Sequence, residues 1–203
     1  MKVQLYTKRI WAFIFVACCL IGLYLSSKAT FKSNKITLSP TYKVGYHADY
    51  SDTLVPDLYS NADLVVFGTY QGDLACAAVG GSRIETTGQF NVMQVMKGNC
   101  ALGNIEIVFN GGTVSLSEYL QFMSESQIEK YGFDSPEFQS QVESISMEGD
   151  SLANMEVGKT YVIFINYNEA NEKYYVMSDA YGARETNNDG GLYNPDTHSF
   201  MYA

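Results

Sequence analysis

Hydrophobic and polar residues alternate over short stretches through most of the chain, which predicts a protein built mainly of β-strands. The first such stretch, "ADLVVFGTYQG" at Ala62–Gly72, is an unbroken apolar run rich in β-branched and aromatic residues. The second, Ile84–Gly98, places apolar side chains at alternate positions, as a half-buried strand does. Later stretches of the same kind predict strands at Asn104–Gly112, Gly158–Asn168 and Lys173–Gly182, followed by a hairpin at Gly191–Tyr202.

The hydrophobic period changes to that of helices between the third and fourth predicted strands. Over Ser115–Gly132, apolar residues recur every three to four positions, with a serine to cap the start and a glycine to end the helix. A second helix is predicted from Ser135, because the proline that follows it suits the first helical position. The apolar stripe of this second helix consists of Phe138, Val142 and Ile145. The sequence therefore predicts a helical insert at about 115–147.

The region before the first strand reads as a tether. Residues 31–60 are polar and are interrupted by Pro40 and Pro56, so we expect little regular structure before Pro56. A single turn of helix is predicted at Leu54–Tyr59. The predicted organisation is thus an N-terminal segment at 1–30, the tether at 31–60, and one β domain at 61–203, a size typical of a single domain.

The N-terminal segment contains a long apolar run, Ile10–Leu25, that holds no charged residue. As a helix, its 16 residues span about 24 Å, slightly less than the ~30 Å hydrocarbon core of a bilayer. Three interpretations stay open: an uncleaved anchor that crosses the membrane at residues 10–27, a signal peptide cleaved after Ala29, or a lipoprotein modified at Cys18. A buried helix of a soluble protein is a fourth.

Charge is divided unevenly along the chain, and this division predicts location and partners. Residues 1–30 carry four basic residues and no acid, whereas the remainder carries 22 acids against nine Lys and Arg, a net charge of −13. Bases before the apolar run keep the N-terminus inside, so the body lies outside the cytoplasmic membrane or is secreted after cleavage. Because phosphate backbones need bases, nucleic acid is excluded as a partner. The expected partners are the membrane, through residues 10–27, and an envelope protein or polymer.

Three motifs carry a resemblance to a known fold family: "NADLVVFGTY" in the first strand, "VMKGN" at the end of the second, and "MEVGKTYVIFI" in the fourth. They resemble the small secreted OB-fold domains of the netrin and tissue-inhibitor-of-metalloproteinase type. The whole chain also resembles uncharacterised, membrane-anchored envelope proteins of Gram-positive bacteria. The resemblance implies a five-stranded, partly open OB-like barrel with the helical insert between its third and fourth strands.

One feature departs from that family. Its inhibitor branch binds a catalytic zinc through an N-terminal cysteine, and the body of this chain has no cysteine near its start. Its two cysteines, Cys76 and Cys100, are candidates for a disulfide in an oxidising compartment, with two separate thiols as the alternative. In a simple hairpin, Cys76 would lie near the turn and Cys100 near the open end, which separates them.

Two groups of residues are candidates for binding. The turn at Glu185–Gly191 contains Asn187 and Asp189, whose oxygens suit calcium, but a solvated turn explains them better because the alternating acids and the later glutamate of an EF-hand loop are missing. The chain has 16 tyrosines, and exposed tyrosines on a strand face would form a platform for a partner or glycan. The alternative is a tyrosine-rich core. The candidates for the platform are Tyr167, Tyr174, Tyr175, Tyr181 and Tyr193.

The sequence carries no catalytic motif and implies no cofactor. The first functional hypothesis is therefore a membrane-anchored, extracytoplasmic binding module of the cell envelope. The alternatives are an envelope-associated hydrolase whose site is assembled from dispersed residues, and a domain that resembles a protease inhibitor. A binding module predicts an exposed apolar or tyrosine-lined surface, whereas a hydrolase predicts a cleft with converging acids or an acid and a histidine.

Overall fold

The computed structural model of the protein describes residues 40–50, 53–80 and 82–201. Within these residues the fold is mainly β, with eleven strands, four short α-helices and one 3-10 helix at Asp179–Tyr181. The helices are α1 (Val55–Asn61), α2 (Leu116–Gln121), α3 (Glu125–Tyr131) and α4 (Pro136–Gln141). The strands are β1 (Thr41–Gly45), β2 (Leu64–Val79), β3 (Arg83–Lys97), β4 (Gly103–Asn110), β5 (Gly112–Ser115), β6 (Ser144–Glu148), β7 (Thr160–Asn168), β8 (Lys173–Val176), β9 (Ala183–Glu185), β10 (Leu192–Asn194) and β11 (Ser199–Met201).

The predicted membrane segment, residues 10–27, lies outside the described residues. In the part of the chain that the structure describes, no helix combines the length and the apolar character needed to cross a bilayer.

Five strands form a closed ring in the order β2-β3-β4-β8-β7, and β7 then pairs with β2 again. All of these pairings are antiparallel except β4 with β8, which run parallel. Apolar residues at alternate positions of the strands fill the ring. The main core contains Leu64, Val66, Tyr70, Phe90, Val92, Ile107, Ile163, Ile165 and Val176.

A second sheet, in the order β1-β6-β5, lies beside the far end of the long β2–β3 hairpin. Together with α2, α3 and α4 it encloses a second core that is separate from the interior of the ring. This core contains Ala78, Ile84, Val114, Leu116, Tyr119, Met123, Phe133 and Ile145.

The strands of this second sheet correct two expectations from the sequence. The tether was expected to lack regular structure before Pro56, but Thr41–Gly45 forms β1 and pairs in parallel with β6. The second predicted helix was expected to include Ile145, but α4 ends at Gln141 and Ile145 lies in β6. Ser144–Glu148 alternates between buried and more exposed positions, so pairing with β1 and β5 on both edges outweighs the helical stripe.

The first half of the insert also differs from its prediction, because the single helix over Ser115–Gly132 is divided in two. Ser115 caps α2 as expected, and the left-handed Gly132 ends α3. Between them, Ser124 starts a new helix through a capping box: its hydroxyl accepts from the Gln127 amide at 3.3 Å, and its own amide donates to the Gln127 side chain at 2.9 Å.

The ring strands follow the sequence prediction more closely. The second, third and fourth predicted strands are present as β3, β4 and β7, and the predicted hairpin is present as β10 and β11 in its described residues. The predicted turn of helix at Leu54–Tyr59 is present as α1. The first strand continues beyond Gly72, through one register shift between Asp73 and Ala75, to Val79. The fifth ends early, at Val176, because Ser178 and Asp179 have φ values of 46° and 45°.

Gly68, in the middle of β2, gives a direct test of the ring. A Cβ at this position would overlap the carbonyl oxygen of Asn91 and lie 2.8 Å from the Phe90 ring. Gly68→Ala is therefore expected to lower the free energy of unfolding by about 3 kcal/mol, as overpacking of a core does. Urea unfolding of the full-length protein in detergent, followed by circular dichroism, measures this. Gly45→Ala is the control, since its Cβ meets nothing within 4 Å. Equal stability of the two variants would contradict the strand pairing described.

Candidate functional site

The outer face of the ring, where β2 and β7 pair, is as apolar as the inner face. Val65 and Phe67 point outward from β2, and they lie opposite Phe164 and Val162 of β7 in the antiparallel register. Val65, Val162 and Phe164 are buried, although they lie outside the ring, because α1 and the C-terminal segment pack over part of this face. The rest of the face forms the floor of a groove of about 880 Å³.

The walls of the groove come from three separate parts of the chain. Val55 and Tyr59 project from successive turns of α1, and Met96 projects from the end of β3. The opposite wall consists of the loop at residues 186–190 and of Leu192 and Met201, which are paired in the β10–β11 hairpin. The polar groups at the groove come mainly from threonine and asparagine side chains, so its chemistry is that of an apolar binding cleft rather than of a charged one.

The α1 wall is held firmly against the ring. Leu58 is fully buried beneath the helix. The Lys97 ammonium donates to the carbonyl oxygens of Tyr59 at 2.7 Å and Ser60 at 3.0 Å, where a helix C-terminus accumulates negative partial charge. The Tyr59 hydroxyl in turn donates to the Met96 carbonyl at 3.0 Å.

Methionine and tyrosine side chains on the rim of the groove remain accessible. Met96 is 46% exposed, Met201 43% and Tyr59 41%. Methionine is flexible and polarisable, so it adapts to partners of different shape and is common at surfaces that bind apolar segments. The rim of the groove is therefore an exposed surface made largely of apolar side chains.

A buried arginine holds the hairpin wall. Arg184, in β9, is 2% exposed. Its guanidinium donates to three carbonyl oxygens: Tyr181 at 2.6 Å, Thr53 at 2.6 Å and Tyr193, in β10, at 3.1 Å. Burial lowers the pKa of the guanidinium from its ordinary value. The three acceptors compensate in part for the loss of water around this charge.

A buried carboxylate lies close to the arginine in sequence. Asp179 is 1% exposed and accepts hydrogen bonds from the Tyr50 hydroxyl and from the Asn110 side chain, the latter at 3.1 Å. Burial, together with the hydrogen bond to Asp179, raises the pKa of Tyr50. The Tyr46 hydroxyl completes the cluster, since it accepts from Asn110 at 3.3 Å and lies 3.2 Å from that of Tyr50.

A second cavity, of about 320 Å³, brings acidic side chains and a histidine together. It is lined by Glu156, Glu185 and His198 among others. Both acids contact one ammonium, that of Lys159, at 2.8 and 3.1 Å, and these hydrogen bonds raise the lysine pKa. His198 contacts the Tyr193 hydroxyl at 3.1 Å rather than an acid. Glu156 and Glu185 are therefore engaged in an ion-pair network with Lys159.

The tyrosines proposed as a platform lie in two different places. The rings of Tyr167 and Tyr174, across β7 and β8, are 5.0 Å apart, and the neighbouring Tyr175 accepts a hydrogen bond from Asn171 at 2.9 Å. Tyr181 donates to Asp196, and Tyr193 packs on Phe200 with ring centroids 5.6 Å apart. The structure thus brings the first three together at the β7–β8 hairpin and places the other two at the C-terminal hairpin.

The proposed calcium residues form a turn. The Asn187 side-chain oxygen accepts from the backbone amides of Asp189 at 3.1 Å and Gly191 at 2.7 Å. Among the residues that the structure describes, no group of three or more His, Cys, Asp or Glu side chains is arranged to hold a metal ion.

The two body cysteines are free thiols in the structure. Cys76 lies 3.3 Å from the Thr86 hydroxyl and packs against the second core. Cys100 packs against the core of the ring, where burial raises the pKa of its thiol. The two side chains therefore belong to different cores, as a simple hairpin requires.

Sequence reasoning missed the groove residues and Arg184. The signal for the groove floor was present, because β2 and β7 are continuously apolar and both faces must therefore be covered. Nothing in the local sequence marks Arg184 as buried, since its three acceptors are backbone carbonyls from distant segments. No protein-family model, curated protein or solved structure matches the chain.

The buried phenols predict how stability depends on pH. Burial raises the pKa of Tyr50, Tyr70 and Tyr161 above the ordinary value near 10. A raised pKa in the folded state means that the contribution to stability is complete below about pH 10 and is lost as the pH rises through the folded-state pKa. We therefore expect the urea midpoint to fall steadily above about pH 10.

Ultraviolet absorbance of ionised phenols, recorded together with circular dichroism, checks this expectation. The buried phenols should ionise only as the fold is lost, so a fraction of the absorbance change should coincide with unfolding. Tyr50→Phe is expected to reduce that fraction. Ionisation of every tyrosine near pH 10 with the circular dichroism unchanged would contradict the burial described.

Proposed function

We propose that the protein is an extracytoplasmic binding module, held at the cytoplasmic membrane by residues 10–27 with its N-terminus inside. Its β domain binds an apolar segment of an envelope protein in the groove between α1 and the C-terminal hairpin. The observation that carries this proposal is the groove itself: an apolar floor, exposed methionines at the rim and walls from three parts of the chain. Cleavage near Ala29 would release the same module as a secreted protein.

The strand order supports an OB-like barrel, closed by the pairing of β7 with β2, as the scaffold. With the ring strands numbered from β2, the first pairs with the second and the fourth, and the third runs parallel to the fifth. The helical insert lies between the third and fourth strands, as the resemblance implies. In folds of this kind, loops and one outer face of the barrel carry the ligand site.

The chemistry of the groove defines the partner. Beyond residue 30 the chain holds 22 acids against nine bases, so a partner with basic residues is favoured electrostatically. The nearby base Lys97 is already bound to the carbonyl oxygens at the end of α1. The partner that fits is therefore a segment with several apolar side chains, flanked by lysine or arginine.

Photo-crosslinking in cells tests this function. The photoreactive amino acid benzoylphenylalanine replaces Met96 at the rim of the groove in the full-length protein. We expect a crosslinked peptide that contains an apolar stretch with flanking basic residues, identified by mass spectrometry. A second substitution, Met201→Asp, places a charge on the opposite rim, and we expect it to reduce the crosslink yield at least about tenfold, since it costs a buried apolar contact.

Leu102 provides the matched control position, because it is 68% exposed but does not line the groove. The same photoreactive residue at Leu102 should give none of the Met96 products. Products that form equally from both positions, or that persist with Met201→Asp, would reject the groove as the binding site.

A further inference from the structure

We propose that the β10–β11 hairpin is a movable wall of the groove, and that the described part of the tether before α1, residues 40–50 and 53–54, holds this wall closed when it packs on the β domain. The proposal rests on the proposed function for what the groove binds, but the motion itself is argued from contacts within the chain. Release of the tether would free the hairpin and open the groove to a partner.

The hairpin is weakly attached to the rest of the fold. β10 and β11 form a two-stranded sheet of their own with three residue pairs. In the described chain, the strand pairing that links this sheet to the ring strands is a single bridge between Thr186 and Leu192. An isolated two-stranded hairpin is marginally stable in water, so side-chain contacts must hold this one in place.

Arg184 supplies one of these contacts and joins the hairpin to the tether. One terminal nitrogen donates to the Tyr193 carbonyl in β10, at 3.1 Å, and the other donates to the Thr53 carbonyl at the end of the tether, at 2.6 Å. The guanidinium is planar and rigid, so the two acceptors are held in a fixed relation to each other. Thr53 lies two residues before α1, and the same group therefore aligns both walls of the groove.

Tyr50 and Tyr181 form a second connection. The ring of Tyr50, in the tether, contacts the ring of Tyr181 in an edge arrangement with centroids 6.2 Å apart. The Tyr181 hydroxyl donates to Asp196, in the turn of the hairpin. The Cζ atom of the Arg184 guanidinium also lies 5.4 Å from the centroid of the Tyr181 ring. Movement of Tyr50 would therefore disturb both hairpin contacts.

Backbone strain in the turn before the hairpin favours a change of conformation when the tether leaves. Ser178 and Asp179 both have left-handed φ values, 46° and 45°, which non-glycine residues adopt only when the surroundings impose them. The tether helps to impose them, because the Tyr50 hydroxyl donates to the buried Asp179 carboxylate. When Tyr50 leaves, Asp179 loses this donor and the strained turn is free to relax. Tyr181 belongs to the same 3-10 helix as Asp179 and is bound to the hairpin through Asp196, so relaxation of the turn reaches the hairpin.

Amide hydrogen exchange of the full-length protein tests the coupling without any partner. Tyr50→Phe removes the hydroxyl that reaches Asp179, and we expect exchange at residues 192–201 to accelerate roughly tenfold, the size expected for a lost hydrogen bond to a charged group. Tyr181→Phe removes the hydroxyl that holds the hairpin. Because coupling is reciprocal, we expect it to accelerate exchange in the tether strand Thr41–Gly45 as well.

Tyr119→Phe is the matched control, since its hydroxyl donates to the Ser82 carbonyl at 3.0 Å, outside this network. It should leave both segments within about twofold of the wild type. Slow exchange at Ile163–Ile165, in β7, verifies that each variant is folded. If Tyr50→Phe accelerates exchange only in the tether and Tyr181→Phe only in the hairpin, the proposed coupling is contradicted.

Crosslinking then separates this inference from the proposed function. Tyr50→Phe should increase the yield of crosslinked product from benzoylphenylalanine at position 96. The increase should be about the same factor by which this variant accelerates amide exchange in the hairpin. If hydrogen exchange shows the coupling but no crosslink forms in the groove, the binding function is rejected and the movable wall is retained. Groove crosslinks that do not change with Tyr50→Phe would reject control by the tether.

Discussion

Pairing on both edges of β2 is the constraint on which the rest of the structure depends. One edge pairs with β3 and the other with β7, and this second pairing closes the ring. Closure removes the free edges that an open sheet would expose and sets the register of the apolar residues inside. It also fixes Val65 and Phe67 on the outside, opposite Phe164 and Val162. The apolar outer face is therefore a direct consequence of how the ring is closed.

That outer face must be shielded from water, and the two elements that pack over it, α1 and the β10–β11 hairpin, are attached with different strength. α1 is attached by a buried leucine, by Lys97 at its C-terminus and by the Tyr59 hydroxyl. The hairpin on the other side is held by one buried arginine, the Tyr181 hydroxyl, and Leu192 with its single bridge to Thr186. A cleft with one firm wall and one weakly attached wall can change its width while the ring stays intact, because local opening costs less than global unfolding.

Much of the ring could be predicted from the sequence, because four of its five strands, β2, β3, β4 and β7, have eight or more residues and a clear apolar pattern. The second sheet was harder to predict. β1 is five residues long and mostly exposed, so its pairing with β6 leaves almost no hydrophobic pattern. Ile145 suits a helical stripe and a strand equally well, and the parallel partner about a hundred residues away decides between them. The candidate site was missed for the same reason: Arg184, Thr53 and Tyr193 meet only through tertiary contacts.

The polar groups that the sequence did not reveal are also the ones that join the tether to the domain. A buried guanidinium and a buried carboxylate both cost desolvation energy, and an apolar residue of similar size would stabilise a core at least as well. Their role in this fold is to fix the positions of the segments that supply their hydrogen-bond partners. Arg184 is satisfied only when the carbonyls of the tether, the 3-10 turn and the hairpin are assembled around it. Asp179 is satisfied only when Tyr50 of the tether and Asn110 of β4 both reach it. These contacts join the segment before α1 to the turn and to the hairpin wall of the groove.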